Sequence, residues 1–134
     1  MKPQENMKIL VIDDSEFDRR MIVSAMKSVC DNLTCVELSG GMSAIETMRH
    51  EKPSLTILDI RMPGISGWDV LENIQAEETL RGSKVVIMSG TSSKLDVEKA
   101  SINGAHGFYT KPNTRSDYSI VASDLKASFL DVAA

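Results

Sequence analysis

Five short runs of apolar and β-branched residues alternate along this chain with segments of helical pattern, most of them with an apolar stripe and one, about 93–103, largely polar. The runs predict strands over about 8–13, 34–38, 54–59, 84–88 and 106–110. The intervening segments predict helices over about 15–29, 42–50, 67–77, 93–103 and 115–130. Such alternation is typical of a parallel sheet whose right-handed crossovers place helices on both faces. The predicted fold is therefore α/β, a doubly wound (βα)5 domain.

Local signals mark several helix ends and inward faces. Ser15 is placed to cap the first helix, with Asp18 at the third helical position in the manner of a capping box. Gly104 is placed to end the fourth helix. Apolar stripes predict the buried faces of the first, third and last helices, and they comprise Met21, Ile22, Ala25, Met26 and Val29, then Val70, Leu71 and Ile74, then Ile120, Val121, Leu125 and Phe129.

Length and charge restrict the class of protein. The 134 residues suit one domain, with a core over about 7–130 and no room for an output domain. The net charge of −4 gives no electrostatic reason to expect binding to nucleic acid. No apolar run approaches the roughly 18 residues of a membrane span, and the first residues lack a signal-peptide core. Cys30 and Cys35 match no zinc pattern and are expected to be reduced thiols. These features predict a cytoplasmic protein.

Charged residues follow three of the predicted strands directly. Asp13 and Asp14 follow the first strand, Asp59 ends the third, and Lys111 follows the fifth. Because parallel strands end at one edge of a sheet, these side chains are expected to converge. Two carboxylates 4 Å apart repel by about 4 kcal/mol at an effective dielectric constant of 20, so the cluster predicts a bound cation. Oxygen ligands favour Mg²⁺, Mn²⁺ or Ca²⁺ over zinc.

Asp59 is the candidate nucleophile of this predicted site. A carboxylate accepts a phosphoryl group to form an acyl phosphate, and Lys111 and the Ser89 hydroxyl are placed to bind phosphoryl oxygens. Each residue also has an ordinary interpretation taken alone: the acidic pair as a helix cap, Ser89 as a turn residue and Lys111 as a solvated lysine. Their joint position at strand ends favours phosphoryl transfer.

The order of these motifs resembles a response-regulator receiver domain of the CheY-like, single-domain type, over nearly the whole chain. The matching pieces are the Asp13-Asp14 pair, Asp59 in LDIRMPGISG, Ser89 in VVIMSGTS and Lys111 in GFYTKP. The resemblance implies a flavodoxin/CheY-like sheet with strand order 2-1-3-4-5. It also implies that a histidine kinase or histidine phosphotransfer protein donates phosphate to Asp59, and that another protein recognises the changed surface.

The same resemblance implies roles for individual residues. Mg²⁺, with Mn²⁺ as a substitute, would be held by Asp14, Asp59 and the backbone carbonyl of Arg61, with Asp13 acting partly through water. Ser89 and the aromatic residue Phe108 would form the conformational switch. Arg61 and Thr91 occupy the positions that tune the lifetime of the acyl phosphate. The peptide bond between Lys111 and Pro112 is often cis in the family.

The sequence leaves the pathway open. The stretches DDSEFDRRMI and EETLRGSK are similar to a receiver subgroup that includes partners of phytochrome-type kinases. The sequence is compatible with relay of phosphate, with a phosphate sink and with allosteric output. It is also compatible with a homodimer through the fourth helix, fifth strand and fifth helix. Phe17 either faces solvent toward a partner helix or packs as a hydrophobic staple or core contact. One alternative is an adaptor that is never phosphorylated. Another is a haloacid-dehalogenase-type phosphatase, which generally needs an aspartate where Arg61 stands. We expect self-catalysed phosphorylation and dephosphorylation rather than a turnover enzyme.

Overall fold

The computed structural model describes residues 7–131, which form five strands and five α-helices in strict alternation. The strands are Met7–Ile12 (β1), Leu33–Leu38 (β2), Leu55–Leu58 (β3), Val85–Ser89 (β4) and Gly107–Thr110 (β5). The helices are Glu16–Val29 (α1), Ala44–Glu51 (α2), Gly67–Ala76 (α3), Lys94–Ile102 (α4) and Arg115–Leu125 (α5). A π-helical turn, Lys126–Leu130, follows α5 directly. The alternation predicted from the sequence is confirmed, and only the final turn of the last predicted helix departs from α-helical geometry.

The sheet is parallel throughout and has the order β2-β1-β3-β4-β5, so the predicted doubly wound fold is confirmed. From β1 the chain passes to β2 on one side and later returns to β3 on the other. This reversal places the carboxyl ends of β1 and β3 side by side, at the position where doubly wound sheets bind ligands. The backbone N–H of Asp59 donates to the carbonyl oxygen of Ile12 at 2.9 Å, which ties the two strand ends together.

Two apolar clusters cover the two faces of the sheet. One contains side chains of α2, α3 and α4, and the other contains side chains of α1 and α5. Every residue of β3 and β4 is buried, as expected for central parallel strands between helical layers. The predicted inward residues of α3 are buried: Val70, Leu71 and Ile74. The central strands therefore form a rigid base for the residues that follow them.

The predicted stripe of the last helix is wrong at Ile120, which is 66% exposed. The buried residues of α5 are Tyr118, Ala122 and Leu125. Ile120 lies two residues from Tyr118, about 200° around the helix, so both cannot face the core. Apolar content did not predict which residues of α5 are buried, because the inward positions include a tyrosine and a small alanine.

Smaller predictions have mixed outcomes. Gly104 follows α4 with φ of +92°, which confirms its role as the terminating residue. Within residues 7–131 no peptide bond is cis, so the Lys111–Pro112 bond is trans, the intrinsically favoured isomer of an X–Pro bond. Phe17 is 68% exposed, which rules out the staple interpretation. Cys30 and Cys35 are free thiols, and no helix of the described chain is long and apolar enough to span a bilayer.

Candidate functional site

Three carboxylates meet at the junction of β1 and β3. Ligand oxygens of Asp13, Asp14 and Asp59 all lie within 4.8 Å of one another. Asp13 and Asp59 are buried, whereas Asp14 is exposed and opens the cluster to solvent. An all-oxygen donor set with one solvent-facing side suits a hard divalent cation that retains several waters. The residues present therefore fit a Mg²⁺ or Mn²⁺ ion.

Lys111 brings a single positive charge into the carboxylate cluster. Its Nζ lies 2.8 Å from Oδ2 of Asp13, 2.8 Å from Oδ2 of Asp18 and 3.5 Å from Oδ1 of Asp59. The backbone N–H of Lys111 donates to the carbonyl oxygen of Ser89 at 2.7 Å, which fixes the end of β5 against β4. One ammonium beside several carboxylates leaves an excess of negative charge, and this excess favours a cation.

The backbone around the two buried carboxylates is closely packed. One carboxylate oxygen of Asp13 accepts a hydrogen bond from the backbone N–H of Ser15 at 2.9 Å. The Asp13 carbonyl oxygen accepts one from Nη1 of Arg19 at 2.6 Å. Gly67, the first residue of α3, lies against the backbone of Asp59, because a Cβ there would come within 2.2 Å of the Asp59 carbonyl oxygen. Only glycine permits this approach, so the start of α3 helps to position Asp59.

Burial and neighbouring groups together set the protonation of Asp59 and Lys111. Burial, reinforced by the negative charge of Asp13, raises the pKa of Asp59 to about 6, against the opposing effect of Lys111. For Lys111, burial disfavours the charged form. Hydrogen bonds to Asp13 and Asp18 outweigh burial and hold the pKa of the lysine above its ordinary value. At neutral pH the site therefore contains an ammonium and a mostly ionised Asp59.

The predicted switch residues lie on β4 and β5, the two strands that follow β3 toward one edge of the sheet. Ser89 ends β4, is buried, and its hydroxyl accepts a hydrogen bond from the backbone N–H of Thr91 at 3.4 Å. Thr91 itself is exposed. Phe108 pairs in register with Ile87 and packs, partly buried, against the cluster on the α4 side of the sheet. A cleft of about 150 Å³ between α4 and β5 borders its ring.

Arg61 does not point toward Asp59 in this structure. Its Nη2 atom lies 3.2 Å from Oδ2 of Asp96 on α4, and its side chain is largely exposed. An open groove of about 500 Å³ runs beside Arg61 and is bordered by Asp14 and Trp68. This groove leaves the Asp14 side of the carboxylate cluster open.

Sequence reasoning missed two carboxylates that contact the predicted site residues. Asp18 was predicted as a capping-box residue, but its side chain binds Lys111 and only its backbone N–H bonds the Ser15 hydroxyl. Asp96 pairs with Arg61. A signal for Asp18 existed, because it lies in the first turn of the helix that directly follows β1, and that turn starts at the edge of the sheet where the carboxylates meet. No local pattern indicates the partner of Asp96.

Comparison with known proteins identifies the family. The response regulator receiver domain model matches residues 9–121. The chemotaxis protein CheY-3 of Vibrio cholerae is 30% identical over 110 residues, which cover 82% of this chain and 84% of that protein. The chain belongs to the response regulator receiver domain family.

Two solved structures share the fold closely. The phosphorylated cyanobacterial phytochrome response regulator RcpA matches with a TM-score of 0.88 and 24% identity, over 97% of this chain and 98% of that one. The Mn²⁺-bound response regulator Rcp1 matches with a TM-score of 0.83 and 21% identity, over 96% and 97% of the two chains. Receiver domains are the aspartate-phosphorylated switches of two-component signal transduction, so the predicted class of function is confirmed. Members of the family bind Mg²⁺ or Mn²⁺ at an acidic pocket and interact with kinases or phosphotransfer proteins.

Proposed function

We propose that Asp59 is the phosphoacceptor of this receiver, with Lys111 and Ser89 as ligands of the phosphoryl group. The supporting observation is the carboxylate cluster itself, with the Lys111 ammonium 3.5 Å from Oδ1 of Asp59. The proposed ligands of the metal ion are Asp13, Asp14, Asp59 and the backbone carbonyl of Arg61. Bound Mg²⁺ would supply positive charge to the phosphoryl oxygens.

The proposed reaction is a simple displacement at phosphorus. A carboxylate oxygen of Asp59 forms a bond to phosphorus while the bond between phosphorus and an imidazole nitrogen of the donor histidine breaks. The electron pair of that bond returns to the imidazole, and an acyl phosphate remains on Asp59. Lys111 balances the charge on the phosphoryl oxygens, as electrostatic stabilisation dominates phosphoryl transfer. Hydrolysis of the acyl phosphate by water resets the switch, so the protein is not a turnover enzyme.

The proposed output surface comprises α4, β5 and α5. Four large apolar side chains on its helices are exposed: Leu95, Val97, Ile102 and Ile120. We propose that Ser89 moves toward the phosphoryl group and that Phe108 then turns further into the cleft beside α4. The exposed surface changes with it, and a protein partner, including a second copy of the chain, reads the change.

A sensor histidine kinase or histidine phosphotransfer protein is the proposed donor in the cytoplasm. The fold similarity to a phytochrome response regulator and the DDSEFDRRMI stretch support a phytochrome-type kinase as the particular donor. Profiling phosphotransfer from purified kinases of the host tests this assignment. Preferential transfer from a kinase of another class would contradict it.

Incubation with acetyl phosphate and Mg²⁺, followed by intact-mass measurement, tests the phosphoacceptor. We expect one phosphoryl adduct on the wild type and none on Asp59→Asn. Asp31→Asn is the matched control, because Asp31 is exposed in the turn before β2 and the chemical change is the same. An adduct retained by Asp59→Asn would contradict the assignment. Absence of an adduct on the wild type would favour the adaptor, and multiple turnover of a phosphate ester would favour the phosphatase.

Arg61 and Thr91 are proposed to set the lifetime of the acyl phosphate. Arg61 is bulky and cationic, and release from Asp96 would let it cover the phosphoryl group. We expect Arg61→Asn to shorten the half-life about two- to tenfold, equivalent to about 0.4–1.4 kcal/mol in the barrier. Asp96→Asn, which frees Arg61, should lengthen it. Equal half-lives in wild type and Arg61→Asn would refute the shielding role.

A further inference from the structure

Asp18 is an acceptor for Lys111 that the proposed phosphoryl-transfer chemistry does not require. It lies in the first turn of α1, and its carboxylate contacts an ammonium 93 residues away in the chain. We propose that Asp18 is a positioning residue that holds the Lys111 ammonium on the α1 side of the site and weakens its binding to a phosphoryl group on Asp59. This proposal rests on the proposed function of Lys111 as a phosphoryl ligand.

The distances around Lys111 show which carboxylates its ammonium contacts. An ammonium has three N–H donors. One of them donates to Oδ2 of Asp18 at 2.8 Å, and Oδ2 of Asp13 lies at the same distance from Nζ as an ion-pair partner. Asp59 lies 3.5 Å from Nζ, beyond the usual hydrogen-bond range. The resting ammonium is therefore held away from the group that receives the phosphate.

Helix capping does not explain the orientation of the Asp18 carboxylate. In a capping box this carboxylate would accept a hydrogen bond from the backbone N–H of Ser15. That N–H instead donates to Oδ1 of Asp13 at 2.9 Å, and the Ser15 hydroxyl accepts the backbone N–H of Asp18 at 3.2 Å. The cap is complete without the Asp18 side chain, whose Oδ2 lies 2.8 Å from Lys111 Nζ.

Burial makes the contact effective. The side chains of Lys111 and Asp18 are 16% and 26% exposed, so solvent screens their interaction less than it screens a surface ion pair. A phosphoryl group on Asp59 adds negative charge close to the same ammonium. It therefore competes with Asp18 for Lys111, and loss of the Asp18 charge should shift the ammonium toward the phosphoryl group.

Asp18→Asn tests the proposal, with Asp117→Asn as the matched control. Asp117 is also the third residue of its helix, is exposed, and its backbone N–H bonds the hydroxyl of Thr114 in the same way. The first measurement is the ¹H–¹⁵N signal of the Lys111 ammonium without metal or phosphoryl analogue. The second is the affinity for beryllofluoride, a phosphoryl mimic, in the presence of Mg²⁺.

We expect Asp18→Asn to broaden or shift the Lys111 signal and to raise beryllofluoride affinity about three- to tenfold, whereas Asp117→Asn changes neither. An unchanged Lys111 signal, or an unchanged affinity, in Asp18→Asn would overturn the proposal. Should the asparagine variant fail to fold, Asp18→Ser provides the same loss of charge. Failure of the wild type to bind beryllofluoride would refute the proposed function instead, because the ammonium signal still reports on Asp18 independently.

Discussion

Asp59 is the proposed phosphoacceptor, and its buried carboxylate also destabilises the folded protein. The residue is 4% exposed and its carboxylate lies beside Asp13 and Asp14, so burial and repulsion oppose its ionisation. Lys111 compensates only in part, and the pKa of Asp59 is raised to about 6. Functional sites often retain such destabilising groups, which the rest of the fold must support. The metal-free protein therefore carries an electrostatic penalty at neutral pH.

This penalty predicts that Asp59→Asn stabilises the metal-free protein in a pH-dependent manner. The pKa of Asp59 rises from about 3.8 in the unfolded chain to about 6 in the folded protein. The folded state therefore binds the proton more tightly, and this favourable contribution, complete below pH 3.8, is lost as the pH rises through 6. We expect Asp59→Asn to exceed the wild type in unfolding free energy by up to about 3 kcal/mol at pH 8.

Urea unfolding of both proteins at pH 4, 6 and 8, with chelator present, measures this difference. The gap should shrink toward pH 4, where the wild-type carboxyl is protonated. Added Mg²⁺ should stabilise the wild type more than Asp59→Asn, because the variant has lost one proposed ligand. A gap independent of pH would contradict the electrostatic origin of the effect.

At the scale of the element, β3 contains a polar atom with no role in the site. The hydroxyl of Thr56 is fully buried and has no hydrogen-bond partner in the described structure. Its register neighbours, Leu10 on β1 and Val85 on β4, are both apolar. An unsatisfied buried hydroxyl costs about 1–3 kcal/mol.

Thr56→Val is therefore expected to raise the unfolding free energy by about 1–2 kcal/mol. Valine keeps the β-branched shape that strands favour and removes only the unsatisfied hydroxyl. Thr110→Val, the same change at an exposed strand position, should stay within about 0.5 kcal/mol of the wild type. Denaturant unfolding measures both variants, and loss of stability in Thr56→Val would contradict this account.

Helix α4 is attached to the molecule differently from α3. It buries only Ala100, whereas α3 buries four residues along its inward face. Two polar contacts link α4 to neighbouring parts of the chain, the Arg61–Asp96 ion pair and the Lys99 ammonium 4.4 Å from the centre of the Trp68 ring. A helix with so little apolar anchoring is suited to the shift that the proposed output requires.

At the scale of the whole molecule, the fold separates a rigid centre from an adaptable side. The buried strands β1 and β3 hold Asp13 and Asp59, and apolar clusters on both faces of the sheet support them. The proposed partner surface lies at the β5 edge of the sheet, where α4 and α5 expose large apolar residues. β4 and β5 lie between Asp59 and that surface, so they are the proposed route by which phosphorylation would alter it.

Much of this architecture was predictable from local patterns. Apolar runs located the five strands and apolar stripes located α1, α3 and α5, because burial of one face requires them, whereas α2 and the polar α4 were placed between strands by the residues that break or end them. Charged residues directly after the strands indicated the carboxylate cluster, since parallel strands end at one edge. Periodicity failed at Ile120, because hydrophobicity alone does not reveal which side of a helix the neighbouring helix covers. The preference for a cis Lys111–Pro112 bond came from family resemblance and was wrong here.

The sequence by itself determined the element order, the sheet class, the identity of the nucleophile candidate and the acidic character of its surroundings. These features follow from residue type and short-range spacing. Only the tertiary structure decided which acceptors share the Lys111 ammonium and that Arg61 pairs with Asp96. Those contacts join residues 93 and 35 positions apart, so they depend on how helices pack across the sheet, and no local pattern encodes that geometry.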